Sequence, residues 1–300
     1  MTRKTFDDEL RRIGCFYEFV DHKLLEMEHD EKEKKWGDDV AAQIIALVNQ
    51  KGGVAKTTST IHLGAGLVCA GKRVLLIDLD SQSNLTMCLG YPNPDELEVT
   101  MFEIFERMMM DQPLPSSQNF ILRSKEGIDF VPANIALSTI EMLMINVMNR
   151  ENKLKHFLEG LRQDYDFILI DCMPSLGLLT LNALVAADSV IIPVQTHYLS
   201  AKGLELLLNT IGKVKKEANH GLRINGILIT MMDRRTNFAK EIVQTIQKVY
   251  GKYVRIFDAQ IPISVKVVEA ASLGRTIFTH DINNPVTLAY QRMVQEVLNE

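Results

Sequence analysis

Residues 46–58 read Ala46-Leu47-Val48-Asn49-Gln50-Lys51-Gly52-Gly53-Val54-Ala55-Lys56-Thr57-Thr58, and the rest of the chain is organised around them. The apolar residues 44–48 show no polar alternation, which predicts a buried parallel strand. After the glycine pair, an amphipathic segment predicts a helix. A strand, a glycine-rich turn and a helix start gather successive backbone N–H groups into one concavity, where the helix dipole adds partial positive charge. The stretch therefore predicts a polyphosphate site.

The loop departs from the common phosphate-loop pattern G-x-x-x-x-G-K-[ST], because Gln50 and Ala55 occupy its two glycine positions. It fits K-G-G-x-x-K-[ST] instead, with Lys51 five positions before Lys56. We predict that Lys56 reaches the β- and γ-phosphates of a nucleotide and that the Thr57 hydroxyl ligates Mg²⁺. Lys51 lies at the mouth of the loop, where the nucleotide of another subunit can be placed.

Two further predicted strands carry carboxylates at their C-terminal ends. The strand over residues 73–80 places Asp78 and Asp80 on one face, at the sheet edge where parallel sheets bind ligands. One of them is expected to cap or pair structurally, and the other to serve the site. The strand over residues 166–171 ends in Asp171, in the form of a Walker B strand that holds a water on Mg²⁺.

Strands and helices alternate along the chain after residue 40. Further strands are predicted over residues 127–132, 189–194, 223–230 and 254–261. Helices are predicted over residues 100–110, 135–149, 152–163, 200–218, 265–273 and 285–298. This order predicts an α/β fold, a mostly parallel twisted sheet with helices on both faces.

Composition describes an ordinary globular protein and limits its partners. The 300 residues are 46% hydrophobic and 24% charged, with a net charge of −5. A DNA-binding surface must therefore be a local basic patch. The four cysteines form no C-x-x-C pair, no signal-peptide pattern precedes them, and no apolar run approaches the length of a membrane span, so a cytoplasmic location is expected.

Residues 1–40 differ from the rest, because they carry 8 basic and 12 acidic side chains. We predict an N-terminal helical extension there, separate from a domain over residues 41–300. The helix is expected over residues 7–35, where apolar side chains recur three and four apart. This stripe comprises Leu10, Ile13, Tyr17, Val20, Leu24 and Met27. The helix either docks on its own domain or serves as a docking or dimerising element.

From residue 43 to the C-terminus the chain resembles the bacterial ParA (Soj-type) partition ATPases, which carry the deviant Walker A loop of the ParA/MinD group. The matching landmarks occur in the family's order at residues 49–58, 71–80, 170–180, 192–195, 233–237 and 269–270. The resemblance implies a P-loop ATPase domain that uses ATP/ADP and Mg²⁺ and forms an ATP-dependent homodimer.

The resemblance also assigns roles to particular residues. It implies nucleotide contacts from Lys51, Gly52, Gly53, Val54, Ala55, Lys56, Thr57 and Thr58, and adenine contacts from Met232 and Pro262. Lys51, reaching the partner's phosphates, and Asp80, acting on the attacking water, are the implied catalytic residues. Thr57, Asp171 and Asp80 are the implied residues around the metal.

The implied function is ATP-dependent partition of DNA. The family's ATP-bound dimer binds DNA non-specifically on the nucleoid, and a ParB-type partner stimulates slow hydrolysis and releases it. Arg235 and Lys266 match its DNA-binding residues, although an arginine is usual at the second position. The alternative for each is a solvated surface charge. A membrane partner is not expected, because residues 285–300 carry one basic residue, Arg292.

Three departures from the family pattern bear on hydrolysis. Ala55 replaces the usual glycine before the loop lysine, which weakens nucleotide binding if that position needs a positive φ. Residues 80–83 read Asp-Ser-Gln-Ser instead of Asp-Pro-Gln-Gly, and residues 172–175 read Cys-Met-Pro-Ser instead of Cys-Pro-Pro-Ser. These changes leave a second hypothesis open, a nucleotide-regulated DNA-binding or scaffold protein with negligible hydrolysis.

Overall fold

The computed structural model describes residues 41–196, 201–233 and 235–300. The helix predicted within residues 1–40 lies outside these ranges. The strands of the described chain are β1 (Gln43–Leu47), β2 (Val74–Leu79), β3 (Leu122–Arg123), β4 (Asp129–Val131), β5 (Phe167–Cys172), β6 (Ser189–Gln195), β7 (Arg223–Met232) and β8 (Ile256–Pro262).

Within the described residues these strands form one sheet in the order β3-β4-β2-β5-β1-β6-β7-β8. The neighbouring strands pair in parallel, except that β3 runs antiparallel to β4 at the edge. The predicted mostly parallel α/β fold is thereby confirmed.

The helices cover both faces of the sheet. In the part of the chain that the structure describes, the α-helices are α1 (Lys56–Cys69), α2 (Asn84–Cys88), α3 (Met101–Met109), α4 (Ser117–Phe120), α5 (Ile140–Leu143), α6 (Lys153–Glu159), α7 (Leu178–Ala186), α8 (Ala201–Glu217), α9 (Asn237–Tyr250), α10 (Val265–Ser272), α11 (Ile277–His280) and α12 (Pro285–Leu298). No described helix combines the length and the apolar character needed to cross a bilayer.

Strand β1 shows why the central strands lack polar alternation. Ile44 and Ala46 join the hydrophobic core on one face of the sheet, whereas Ile45 and Leu47 join the core on the other. Both faces of the sheet are excluded from water, so the side chains on both faces are apolar. The chain leaves β1 toward β2 on one side and later reaches β6 on the other. The loop after β1 therefore lies at a topological switch point, where such sheets bind ligands.

The prediction of one continuous helix over residues 135–149 is wrong. The structure has a 3-10 turn at Ile135–Thr139, the short helix α5, and another 3-10 turn at Met144–Asn146. Asn149 follows in the left-handed region with φ 55°. Asparagine is a weak helix former that tolerates this conformation, so the segment breaks there. The helix predicted over residues 152–163 is shortened to α6.

Strand β3 and helix α9 are among the elements that were not predicted from the sequence. Strand β3 has only two residues, too few to show a periodic pattern. Helix α9 has a clear pattern, since its buried side chains recur at spacings of three and four along one face. These side chains are Ala239, Ile242, Val243, Ile246, Val249 and Tyr250.

Candidate nucleotide-binding site

The phosphate loop connects β1 to α1 at the C-terminal edge of the sheet. Gly53 and Ala55 both have left-handed backbone conformations, with φ 70° and φ 62°. Helix α1 then begins at Lys56, and Ser59 N donates to Ala55 O over 2.9 Å. Left-handed residues between right-handed ones turn successive N–H groups toward one side, which forms a concave anion site. The predicted strand, loop and helix are confirmed.

Two side chains hold the loop from outside. Asn49 donates from Nδ2 to Pro193 O of β6 over 2.8 Å and accepts from Lys51 N over 3.0 Å. Thr230 of β7 donates from Oγ1 to Val54 O over 3.0 Å. Sequence reasoning assigned no role to either residue, because the contacts of Asn49 with Pro193 and of Thr230 with Val54 join segments that are far apart in the chain.

Both loop lysines lie at the concavity. Lys56 is 6% exposed, and its Nζ donates to Lys51 O over 3.1 Å across the loop. Burial lowers the pKa of Lys56, and the charges of Asp171, Cys172 and Asp80 oppose that shift. Burial also lowers the pKa of Lys51, which remains partly exposed. The structure thus places one ammonium group inside the loop and the other lysine at its mouth.

Asp171 is a fully buried acid on β5. Its Oδ1 accepts a long, 3.5 Å hydrogen bond from Thr60 Oγ1. Its Oδ2 accepts no hydrogen bond of normal geometry from the described residues. Burial, reinforced by the charge of Asp78, raises its pKa well above the ordinary value, while the Thr57 hydroxyl and the Lys56 ammonium lower it.

These observations fit a divalent cation. A buried carboxylate oxygen without a partner is costly unless a positive charge satisfies it. Oxygen ligands of this kind, a carboxylate and a hydroxyl, are the ones that Mg²⁺ prefers. Asp171 and Thr57 are therefore the residues that would hold Mg²⁺ or its water beside the loop.

One of Asp78 and Asp80 was expected to be structural and the other to serve the site, and the structural role falls to Asp78. Asp78 is fully buried, and its carboxylate accepts from Thr86 N at 3.0 Å, from Thr86 Oγ1 at 2.7 Å and from Asp80 N at 3.2 Å. Burial raises its pKa to about 6. It therefore fixes the start of α2. Asp80 lies just beyond β2, is 8% exposed and binds Gln82 N through Oδ1 over 3.0 Å.

The two family glycine positions keep their left-handed backbone without glycine. Ala55 has φ 62°, as described above, and Ser83 has φ 54°. A left-handed conformation costs an L-residue with a Cβ about 1–2 kcal/mol. Position 55 therefore does need a positive φ, and this is the case in which alanine in place of glycine is expected to weaken nucleotide binding.

The turn after β5 packs against the phosphate loop. A Cβ placed on Gly52 would lie 4.0 Å from Pro174 Cβ. Cys172 is buried, and its pKa is raised chiefly by that burial, which makes it an inert core thiol. Glu141, which sequence reasoning missed, accepts from Leu179 N over 3.1 Å and lies where any side chain at residue 177 would clash. It fixes the turn from the outside.

The predicted adenine residues lie side by side. Met232 and Pro262 are register partners at the ends of β7 and β8, and Ile263 N donates to Met232 O over 3.3 Å. Met232 follows Thr230 by two residues on the strand that touches the loop. The structure therefore brings this pair to the same edge as the phosphate loop.

The two candidate DNA-binding residues follow the ends of β7 and β8 and are exposed. Arg235 forms two hydrogen bonds with the carboxylate of Asp233, at 2.9 and 3.0 Å, and its side chain is 86% exposed. Lys266 Nζ lies 2.7 Å from Glu269 Oε2, and its side chain is 50% exposed. The carboxylates raise the pKa of both cations. Each predicted DNA contact is thus an exposed ion pair.

Known proteins resemble the chain over most of its length. The AAA domain family matches residues 42–224. The sporulation initiation inhibitor protein Soj of Bacillus subtilis is 41% identical over 257 residues, which are 85% of this chain and 98% of Soj. The chromosome partitioning protein ParA of Myxococcus xanthus is 39% identical over 268 residues, 89% of this chain and 90% of ParA.

Solved structures share the fold. The crystal structure of cobyrinic acid a,c-diamide synthase from Mycobacterium smegmatis with bound ATP analog and magnesium matches with a TM-score of 0.74 and 34% identity, covering 86% of this chain and 95% of that one. The names of these relatives describe different activities. The shared fold therefore does not by itself specify the activity of the present chain.

Proposed function

The chain belongs to the ParA/Soj-type family of ATPases, and from that premise we propose that it is an ATP-dependent DNA-partition protein. In this proposal it binds ATP or ADP with Mg²⁺, dimerises on ATP, binds DNA non-specifically and hydrolyses ATP slowly. A ParB-type partner stimulates hydrolysis and releases the DNA. The protein acts in the cytoplasm on the nucleoid, through a P-loop ATPase domain over residues 41–300.

One observation carries the nucleotide part of the proposal. Asp171 is fully buried beside the phosphate loop, with one carboxylate oxygen lacking a normal hydrogen bond from the described residues. A merely structural aspartate would have its oxygens satisfied, as those of Asp78 are. The arrangement therefore supports Mg-nucleotide binding rather than a structural turn.

The chain's own residues can perform each part of phosphoryl transfer. Lys56 Nζ exchanges its bond to Lys51 O for a phosphate oxygen, while the loop N–H groups hold the remaining oxygens. Asp80, at the sheet edge, orients the attacking water and accepts its proton. When bound, Mg²⁺ neutralises charge on the phosphates. Lys51, at the mouth, reaches the nucleotide of the second subunit.

The basic residues at the ends of β7 and β8 support the DNA part of the proposal. Arg235 and Lys266 are exposed and close to the adenine-side residues Met232 and Pro262. Their ion pairs are surface pairs, which contribute little stability and exchange readily for DNA phosphates. Nucleotide state and DNA binding can therefore influence one another through the same strand ends.

The strained residues favour a second candidate, a nucleotide-regulated DNA-binding or scaffold protein with negligible hydrolysis. Ala55 and Ser83 both hold left-handed conformations beside the site. If that strain misplaces the loop during turnover, the protein binds nucleotide but does not hydrolyse it.

Phosphate release with DNA and a ParB-type partner separates the two candidates. The partition ATPase predicts Mg-dependent turnover that rises with DNA and partner and falls at least about 100-fold in Asp80→Ala. Nucleotide binding without turnover would support the scaffold protein. If Lys56→Ala left both nucleotide and DNA binding unchanged, both candidates would fail.

Deletion of residues 1–38 should leave ATP binding intact, and loss of dimerisation or of partner stimulation would show what the N-terminal segment does.

A further inference from the structure

A side chain from another strand holds the carbonyl that precedes Ala55. Thr230 is fully buried on β7 and donates from Oγ1 to Val54 O over 3.0 Å. Val54 is 1% exposed, so water does not replace this donor. A buried carbonyl that loses its partner is strongly disfavoured. The hydroxyl of Thr230 therefore fixes where Val54 O points.

That carbonyl shares a peptide plane with the N–H group of Ala55. In a planar trans peptide, the C=O and N–H bonds point in opposite directions. Holding Val54 O toward β7 therefore turns the Ala55 N–H away from β7 and sets the φ angle of Ala55, which is 62°. One hydrogen bond thus constrains both the direction of the Ala55 N–H and the strained backbone angle.

Ala55 is the point where the loop is under strain. Gly53 also has a positive φ, of 70°, but glycine adopts it without a steric penalty. Asn49 holds the first half of the loop by hydrogen bonds on both sides. The second half depends on Thr230, because Ala55 by itself favours a right-handed conformation that would rotate the peptide plane.

We propose that Thr230 is a positioning residue for nucleotide binding, whose hydroxyl holds the Val54–Ala55 peptide plane and offsets the strain that Ala55 introduces. The inference depends on the proposed function, since it requires a nucleotide at this loop. Thr230 acts through the backbone and not by contact with phosphate. If the loop populates its binding conformation only one time in ten without the hydroxyl, apparent affinity falls tenfold.

The test is Mg-ADP binding to the full-length protein by calorimetry, together with thermal unfolding without nucleotide. We expect Thr230→Val, which keeps the shape but removes the donor, to weaken Mg-ADP binding about tenfold, or about 1.4 kcal/mol. Thr230→Ser keeps a donor and should bind like the unaltered protein. Ala55→Gly added to Thr230→Val should restore most of the affinity, because glycine needs no help to keep a positive φ.

Thr287→Val is the matched control. Thr287 is also fully buried, and its hydroxyl donates to the backbone carbonyls of Asp281 and Ile277, at 2.6 and 3.4 Å, outside the loop. This change should lower the melting temperature without altering Mg-ADP affinity. Equal loss of affinity in the Thr287 and Thr230 variants would mean a general folding defect and would overturn the inference.

Further outcomes decide between the inference and the proposed function. Normal Mg-ADP binding by Thr230→Val, or failure of Ala55→Gly to restore it, would overturn only the inference. Absence of Mg-ADP binding by the unaltered protein would overturn the proposed function and this role with it. If Thr230→Val does not fold, Ala55→Gly alone still tests the strain, since it should raise the melting temperature at unchanged Mg-ADP affinity, and an unchanged or lower melting temperature would refute it.

Discussion

Two regions at the same edge of the sheet are built in opposite ways. The phosphate-loop region, comprising residues 48–57 with Asp80 and Asp171, has its key polar side chains Asn49, Lys56 and Asp171 buried and is held by hydrogen bonds to distant strands. The basic surface, comprising Arg235 and Lys266, is exposed and held by ion pairs to nearby acids. Buried groups are sensitive to proton and metal charge, whereas exposed pairs are screened by salt. The comparison predicts large, pH-dependent effects in the first region and small, salt-dependent ones in the second.

The largest effect is expected for Asp171→Asn. Loss of the buried carboxylate should lower Mg-dependent ATP hydrolysis about 100-fold or more, because it removes a charge beside the metal. Without nucleotide, the same change should raise the free energy of unfolding at pH 7.5, because it removes a buried charge that has no normal partner. The raised pKa of Asp171 means that its charged form destabilises the folded state above the ordinary carboxyl range.

Phosphate release and calorimetric melting give the two readouts for Asp171→Asn. Its stability advantage should shrink below about pH 4, where the carboxyl is protonated in folded and unfolded chains alike. Wild-type turnover together with lower stability would contradict the buried-charge account of this region.

The buried imidazole of His62, on α1, is expected to make the stability of the protein depend on pH. Its Nδ1 donates to Thr58 O at 2.7 Å and its Nε2 accepts from Ile277 N at 3.0 Å, while its ring stacks on Tyr290. Burial lowers its pKa from 6.5 to about 4. The unfolded chain then binds more protons between these values, so stability is lost as pH falls through that window.

We expect the His62 contribution to make the protein about 2 kcal/mol less stable at pH 5 than at pH 8. Urea unfolding across this range measures the effect. His62→Phe keeps the stacking, loses both hydrogen bonds and is less stable overall, but its stability should depend less on pH. An unchanged pH slope in that variant would show that other groups govern the acid response.

Ser83→Gly tests backbone strain in the buried region. Ser83 has φ 54° and is 2% exposed, so glycine there should raise the free energy of unfolding by about 0.5–1 kcal/mol. Asp111→Gly is the matched exposed control, because Asp111 has φ 51° but aspartate tolerates this conformation. Equal gains at both positions in denaturant unfolding would argue against strain specific to the phosphate-loop region.

The smallest effect concerns the acids of the basic surface. Asp233→Asn and Glu269→Gln free Arg235 and Lys266, and each should strengthen non-specific DNA binding about two- to threefold at low salt. Stability should change by less than about 0.5 kcal/mol.

Arg235→Ala and Lys266→Ala should each weaken DNA binding and reduce its salt slope by about one.

Fluorescence anisotropy with duplex DNA over a salt series measures these changes. Nucleotide affinity serves as the control and should stay the same in all four variants. A DNA affinity unaffected by Arg235→Ala and Lys266→Ala would mean that the basic surface is only a solvated face.

The fold class, the phosphate loop and the acidic strand ends could be predicted from the sequence, because each depends on short-range patterns. Apolar runs without alternation identified the buried parallel strands, and the spacing of Lys51 and Lys56 identified the loop. The continuous helix predicted over residues 135–149 was wrong, because apolar periodicity does not show where 3-10 turns interrupt a helix, and Asn149 follows in a left-handed conformation.

The contacts by which those parts hold one another became visible only in the folded chain. The tertiary structure assigned Asp78 to α2 and left an oxygen of Asp171 unsatisfied among the described residues, although both are aspartates on neighbouring strands. It also brought Thr230 to Val54 and Glu141 to the turn after β5. Hydrogen bonds between segments distant in sequence leave no spacing pattern, so a single sequence cannot reveal them. The physical reason is that a motif fixes the types of groups, whereas burial and partners fix what each group does.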